Sequence, residues 1–474
     1  MSQKLYQPLK PYRIQAGWLI TLQGDPLRGG CLLVQNGRIA AIEKKPQGPI
    51  DYSWLDEIVL PGLVNAHTHL EFSGLQNPFP SDGGFTRWVQ RVVQYRQQQG
   101  EGDALQEIRE RFLRAGWRES QETGSAWLAD IATAPYRLSV PSDEEKKQIS
   151  SFRSGSLVKE SGLDTSLATT PFENKSELLP PPFHNGGGLI ALGEMIGWAK
   201  PRQESSQQWY GEMKRDRWCN DFSDCMNCTW GISPHAPYST SPELIEWCVE
   251  ESAGSGVLLA MHLAETLEEI EWIEARKGTF AELLSSMGVD TKSSAYRWPA
   301  LSDYLDALKR ATRSLVIHGN YLAPENWDFL AANRERMSVV FCPRTHRHFD
   351  HSAYPLQEML QRGVRVCVGT DSRASSPDLN LWKELQEIRR CFGGIHPSSI
   401  LGLGTTQGAE ALGIAGFRGC LEVGGAASFI VSTMRTATQG NDGLKTIDQL
   451  WEALLDSDSV DCPRNPFWNR FTVP

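Results

Sequence analysis

Four short patterns in this chain carry residue types that can hold a cation and move protons. The first is His67-Thr68-His69, which follows the apolar run IVLPGLVNA. In an extended chain, residues i and i+2 project to the same side, so both imidazoles can face one ion. The same pair also fits two polar residues that simply close a strand. The run VLLAMHLAET carries His262, with Glu265 three residues later. A lone His in that position is ordinarily a hydrogen-bonded core residue. The carboxylate beside it adds a base that could take a proton from activated water and return it to the leaving side. SLVIHGNYL carries His318, and VRVCVGTDS carries Asp371. A carboxylate closing an apolar run is costly unless it is ionised beside a cation or well hydrogen-bonded. Each residue has a structural reading when taken alone, but five metal-ligand types at the ends of four strand-like runs point to one site.

Those residues need a scaffold that gathers strand ends. Eight apolar runs, at 58–65, 125–131, 188–194, 229–234, 257–263, 314–319, 338–343 and 364–371, are separated by stretches long enough for helices. Continuous apolar runs fit strands buried on both faces, and their alternation with helices predicts a (β/α)8 TIM barrel with its chemistry at the carboxyl ends of the strands. Helices are expected over 242–252, 267–287, 324–333 and 379–391. The barrel is assigned to 61–419. Residues 17–60 show Gly-rich turns between short strand patterns, and GCLEVGGAASFIVSTM near the other end reads as a hairpin. Both chain ends, 1–60 and 420–474, are therefore expected to form a small composite β-sandwich module. Residues 135–187, rich in Ser, Pro, Lys and Glu, break the rhythm and read as an irregular insertion near the barrel entrance.

Composition narrows the classes of function. A net charge of −10 without a Lys/Arg run argues against nucleic acid as a partner. No segment approaches the length of a membrane span, and the polar start lacks a signal-peptide core, so a cytoplasmic protein with no membrane partner is expected. The ten cysteines are scattered and read as reduced thiols, with Cys342 and Cys367 inside apolar strand runs. Cys219, Cys225 and Cys228 are either loop cysteines or part of a zinc site that needs a fourth ligand.

In chain order, PGLVNAHTH, HLAE, HGNYL, FCPRT and GTDS resemble the cytosine deaminase, guanine deaminase and chlorohydrolase branch of the amidohydrolase superfamily. The likeness spans the barrel, and the terminal strands are similar to the composite β-module of that branch. It implies that His67, His69, His262 and Asp371 bind one divalent metal ion, zinc or else iron, which activates a water. It implies Glu265 as proton shuttle, His318 as the group that orients the attacking hydroxide, and Asp371 as an aid to proton transfer toward departing ammonia. Binuclear relatives often bridge two metals through a lysine on the fourth strand, but TWGISPHAPYS has none, so a single ion is expected. His235 in SPHAPYS sits in a setting similar to S-adenosylhomocysteine and aminofutalosine deaminases, where this His contacts substrate; it could equally cap a turn after Pro234. Arg344 in FCPRTH and Glu194 in LGEMIG could meet the substrate or belong to a salt-bridge network at the barrel mouth. The His346, His348 and His351 cluster reads as a solvated or substrate-facing loop rather than a second metal site. One departure is GGAASFIV, where relatives commonly carry an Asp before the apolar run.

The resemblance implies deamination of an aminated heterocycle, a purine nucleoside-like compound or base, with a small molecule as partner and a homodimer as a compatible assembly. Loss of chloride or an alkylamine from a triazine-like ring would use the same activated water. A barrel that has lost turnover and only binds is a third reading, and the complete set of His67, His69, His262, Glu265, His318 and Asp371 argues against it.

Overall fold

The computed structural model describes residues 10–136, 187–215, 227–289, 298–434, 444–456 and 459–464. Five strands come first: β1 (Tyr12–Leu19), β2 (Leu27–Arg28), β3 (Cys31–Gln35), β4 (Arg38–Glu43) and β5 (Tyr52–Pro61). In β1 buried and half-buried residues alternate, the two-residue period of a strand with one face in a core. It pairs antiparallel with β3, which pairs antiparallel with β4, while β5 runs parallel to β1.

Gly62 marks the passage from this sheet to the next, because a Cβ there would lie 2.6 Å from Ala126 Cβ and 2.9 Å from Ser428 Oγ. The run expected as one strand at 58–65 is therefore two, its first half ending β5 and its second half beginning β6 (Leu63–His69). Both halves are buried, so hydropathy alone does not separate them.

The second sheet continues with β7 (Ser125–Ala132), β8 (Gly188–Met195), β9 (Asn227–Pro234), β10 (Leu258–Leu263), β11 (Arg313–His318), β12 (Met337–Phe341), β13 (Val366–Val368) and β14 (Asp371–Ser372). Its nine strands are parallel, in the order β13-β12-β11-β10-β9-β8-β7-β6-β14. The outermost two, β13 and β14, are separated only by Gly369 and Thr370, so the sheet curls until its edges meet along one stretch of chain. With helices between the strands, the architecture is mixed α/β and of the TIM-like kind. Small and branched side chains, among them Ala66, Ala129, Ile190, Ala260, Ile317, Val340 and Cys367, fill one core.

Local signals decide where the helices begin and end. Ser241 accepts a hydrogen bond from Leu244 N to start the helix Pro242–Ser255, and left-handed Gly256 ends it. The helix Leu381–Cys391 starts after Asn380, which caps Lys383 N. The single helix expected at 267–287 is two, Leu267–Ala275 and Gly278–Ser286, because Arg276 and Gly278 take φ of 53° and 77° between them.

β15 (Phe429–Thr433) returns to pair antiparallel with β5, so the first sheet draws six strands from both parts of the chain, with β2 on β1. Ile14, Leu32, Val59, Leu421 and Phe429 share its core. The hairpin expected within 419–434 is absent among the described residues. Gly424 N and Ala427 N instead donate to Ile39 O and Gly37 O, laying that stretch beside β4. The expected insertion at 135–187 lies, but for its ends, outside the described residues, as do Cys219 and Cys225. Cys228 is disulfide-bonded, a departure from the expectation of reduced thiols, whereas Cys342 and Cys367 are free and buried. Among the described residues, no helix is long and apolar enough to cross a membrane.

Candidate metal centre and active site

The carboxyl ends of β6, β10 and β11 and the start of β14 bring four histidines and Asp371 together. His67 Nε2 lies 3.4 Å and His69 Nε2 3.7 Å from Asp371 Oδ1. His69 Nε2 faces His262 Nε2 at 3.3 Å. The potential ligand atoms of His67, His69 and Asp371 lie within 4.8 Å of one another, as do those of His67, His262 and His318, and every residue in both groups is buried.

Backbone geometry explains the convergence. Only a glycine fits at 369, since a Cβ there would stand 2.8 Å from both the Cβ and the O of His67. Thr370 N donates to His67 O at 3.1 Å. Asn65 Oδ1 accepts from Thr370 N at 3.1 Å and from His67 N at 3.3 Å, while its Nδ2 donates to Thr370 Oγ1 at 2.8 Å. Asn65 thus ties the first and last strands of the sheet at the ligand end. Ala264, His318 and Asp371 have φ of 56°, 69° and 57°. Left-handed non-glycine residues cost conformational energy and gather at functional sites, where the surrounding structure holds them.

Hydrogen bonds set the state of the donors. His262 Nδ1 donates to the His235 carbonyl at 2.9 Å, which leaves its Nε2 lone pair facing His69. Burial, followed by the nearby imidazoles, pushes His69 and His262 well below the usual histidine range, toward the neutral form that coordinates metal. Burial opposes ionisation of Asp371, but the nearby imidazoles of His67, His318 and His69 hold it well below the carboxylate range. Ser375 Oγ donates to Asp371 Oδ2 at 2.9 Å. Both nitrogens of His67 and Nδ1 of His69 are buried with no hydrogen-bond partner among the described residues. Orphaned imidazole nitrogens beside an ionised carboxylate, three or four donors of N and O type, fit a divalent transition ion.

Glu265, one residue beyond the left-handed Ala264, places Oε1 3.5 Å from His318 Nε2. It is buried and its carboxyl is raised well above the usual range, first by burial and then by Asp371 and Glu269. A carboxyl held in that way takes up a proton more readily than an exposed one.

On the other side of His262, His235 Nδ1 meets Ser239 Oγ at 2.6 Å and His235 Nε2 stands 3.8 Å from Glu194 Oε1. Burial and then Arg96 push His235 down to about 3. Arg96, from the helix Phe85–Gln98, holds Glu71 Oε1 at 2.6 Å and Glu194 Oε2 at 3.5 Å. Glu194 Oε1 is buried and has no hydrogen-bond partner among the described residues. Glu194 thus belongs to a network with Arg96 through Oε2 and turns Oε1 toward His235.

Arg344 does not join this group. It is 5% exposed, and its guanidinium engages Glu384 Oε1 at 2.5 Å, Asp378 Oδ1 at 2.8 Å and the carbonyls of Asp378 and Asn380 at 3.0 and 3.3 Å. That geometry fits the salt-bridge reading. The His346 to His351 stretch is partly helical, in Pro343–His348; His348 Nε2 meets Phe79 O at 3.0 Å and His351 Nδ1 meets Tyr321 OH at 3.1 Å, while Nε2 of His346 and of His351 are buried with no hydrogen-bond partner among the described residues. His396 caps the helix Pro397–Leu403, away from the site.

Sequence reasoning missed Asn65, Asp130 and Ser375. Asp130, fully buried on β7, accepts from Leu70 N at 2.7 Å through Oδ1 and from Tyr136 OH at 2.7 Å through Oδ2, and so fixes the chain directly after His69. A lone Asp inside SAWLADIA was the available signal, since an unpaired carboxylate is not stable there.

Comparison with known proteins adds to this geometry. Residues 216–456 match the amidohydrolase family. The chain is 25% identical over 437 residues to a 5-methylthioadenosine/S-adenosylhomocysteine deaminase of Moorella thermoacetica, covering 88% of this chain and 84% of that protein. It is similar in fold to the aminofutalosine deaminase of Helicobacter pylori in complex with methylthio-coformycin, with a TM-score of 0.67, 20% identity and coverage of 95% and 97%. It is also similar to the zinc complex of an atrazine chlorohydrolase from Arthrobacter aurescens, with a TM-score of 0.62, 16% identity and coverage of 93% and 90%.

Proposed function

The chain belongs to the amidohydrolase family, and from that premise we propose that it is a metal-dependent aminohydrolase that releases ammonia from an aminated heterocycle, a purine nucleoside-like compound or base. The observation that carries this reading is the convergence of His67, His69, His262 and Asp371 beside Glu265. In this reading those four residues hold one divalent ion, zinc in the first instance. When bound, the ion supplies the Lewis acidity that makes a water nucleophilic near neutral pH.

Glu265 takes a proton from that water and delivers it to the ring nitrogen next to the carbon under attack. His318, within 3.5 Å of Glu265, orients the water. The water oxygen forms the new C–O bond, the C–NH2 bond breaks, and the second proton leaves with ammonia, assisted by Asp371. His235 and the free oxygen of Glu194 receive the substrate, the carboxylate accepting from an amino or hydroxyl donor. The names of the Moorella and Helicobacter proteins, deaminases of adenosine-like compounds, support this substrate class.

The same reading takes the curled sheet as a closed (β/α)8 barrel over 61–419, with β13 and β14 as its eighth strand, and the strands from both ends of the chain as a second, composite module.

The test is ammonia release by the zinc-loaded protein across aminopurine nucleosides, free bases and aminotriazines, with Glu265→Gln as control. Release from one purine class that the control lacks is the expected result. Chloride release from a chlorotriazine without any ammonia, or silence with metal verifiably bound, would overturn the proposal.

A further inference from the structure

Glu269 is fully buried, and the chemistry above does not use it. Both of its carboxylate oxygens are turned on the main chain: Oε1 accepts from Ala264 N at 3.0 Å and Oε2 from Glu265 N at 2.7 Å. Its own amide donates to Thr266 Oγ1 at 3.1 Å, which anchors it in the first turn of the helix Leu267–Ala275. In a capping box, a glutamate at this helical position reaches back to the amide of the capping residue, here Thr266. Glu269 engages that amide too and extends beyond it to the two residues before.

Those two amides sit at the strained point of the chain. Ala264 holds φ at 56°, a region that a residue with a Cβ adopts only when its surroundings hold it there. The carbonyl side is held separately, with Tyr321 N donating to Ala264 O at 3.0 Å and Asn320 Nδ2 to Glu265 O at 2.9 Å. One carboxylate and one loop therefore grip the turn from opposite faces, and the side chain that leaves it is Glu265.

We propose that Glu269 is a positioning residue: it clasps the amides of Ala264 and Glu265 and so holds the left-handed turn that brings Glu265 within 3.5 Å of His318. The proposal rests on the reading of Glu265 as the proton-transfer group. Gln cannot replace the clasp, because its amide nitrogen would face one of the two N–H donors.

The experiment compares the zinc-loaded full-length protein as wild type, Glu269→Gln, Glu269→Asp and Glu269→Gln with Ala264→Gly, by steady-state kinetics and by amide hydrogen exchange. Glu269→Gln is expected to lower kcat by about 10- to 100-fold, the range seen when an orienting partner is removed, with little change in KM. Exchange at the 264 and 265 amides is expected to speed up. Glycine adopts positive φ at no steric cost, so Ala264→Gly is expected to restore most of the lost kcat in the Gln background. A residue that merely caps the helix would give no such rescue. Glu269→Asp keeps the charge but is one methylene too short to reach both amides; it serves as the second readout if the Gln variant fails to fold, with the same loss expected. Unchanged kcat in both variants, or a loss that Ala264→Gly does not relieve, overturns the clasp. A wild type with no turnover defeats the functional reading instead, and the exchange measurement then decides on the clasp alone, unchanged protection at 264 and 265 overturning it.

Discussion

Replacing Arg344 by Met separates the two roles that its sequence position allows. The side chain is 5% exposed and Glu384 is fully buried, with Nε to Oε1 at 2.5 Å and the Arg344 amide donating to Glu384 Oε2 at 2.8 Å. Met keeps most of the aliphatic stem but leaves Glu384 without its cation. Breaking a buried pair from one side costs about 3–5 kcal/mol, and Asp378, which is partly exposed and also paired with Lys383, should add little. The pH dependence follows from Glu384, which burial raises to about 7 although Arg344 pulls it down. A carboxyl whose folded pKa is raised costs stability as pH climbs from its ordinary value of 4.5 to about 7, and nothing further above that, where both states are ionised. Without Arg344 the folded carboxyl keeps its proton to higher pH. The variant should therefore go on losing about 1.4 kcal/mol per pH unit above 7 while the wild type gains no further slope from this group. Urea unfolding at several pH values from mildly acidic to mildly alkaline measures both, with the gap between the proteins widening as pH rises. A variant as stable as wild type throughout, with KM raised tenfold or more, would refute the reasoning and return Arg344 to the substrate.

Three further outcomes follow from the site. Stripping the protein with a chelator should lower its melting temperature and zinc should restore it, since ligand at about 100 times its Kd adds about 2.7 kcal/mol; a melting curve indifferent to both would rule out a metal on the histidine and aspartate group. Glu194→Gln replaces a charged acceptor by a neutral one and should raise KM by about 10- to 100-fold with a smaller effect on kcat, the loss of a hydrogen bond to a charged group being about 1.5–3 kcal/mol; an unchanged KM would remove Glu194 from substrate binding. Asp130→Asn turns an amide nitrogen toward Leu70 N or Tyr136 OH, and zinc affinity measured by chelator competition should fall by about 10- to 100-fold; wild-type affinity would show that the chain after His69 needs no such hold.

Much of this protein was legible before folding because buried parallel strands need continuous apolar runs and metal sites need particular donors. His67, His69, His262, His318 and Asp371 stand out as costly residues at the ends of such runs, and Glu265 stands beside one of them. The strand runs of the curled sheet and the cap at Ser241 are local signals of the same kind, set by propensity and hydrogen bonding within a few residues. What local pattern leaves open is partnership across long separations. Residues 58–61 and 63–65 form one apolar run, and only packing against Ala126 and Ser428 at Gly62 assigns them to different sheets. Arg344 and Glu194 are both charged residues at or just beyond strand ends, yet the first closes on Glu384 and Asp378 while the second keeps an oxygen free. Asn65 and Asp130 look like isolated polar residues until the sheet curls and brings Thr370 and Leu70 to them. The sequence by itself determined which chemistry the chain could hold; the tertiary structure decided which polar groups are used up by one another and which are left over, because that depends on neighbours tens to hundreds of residues away.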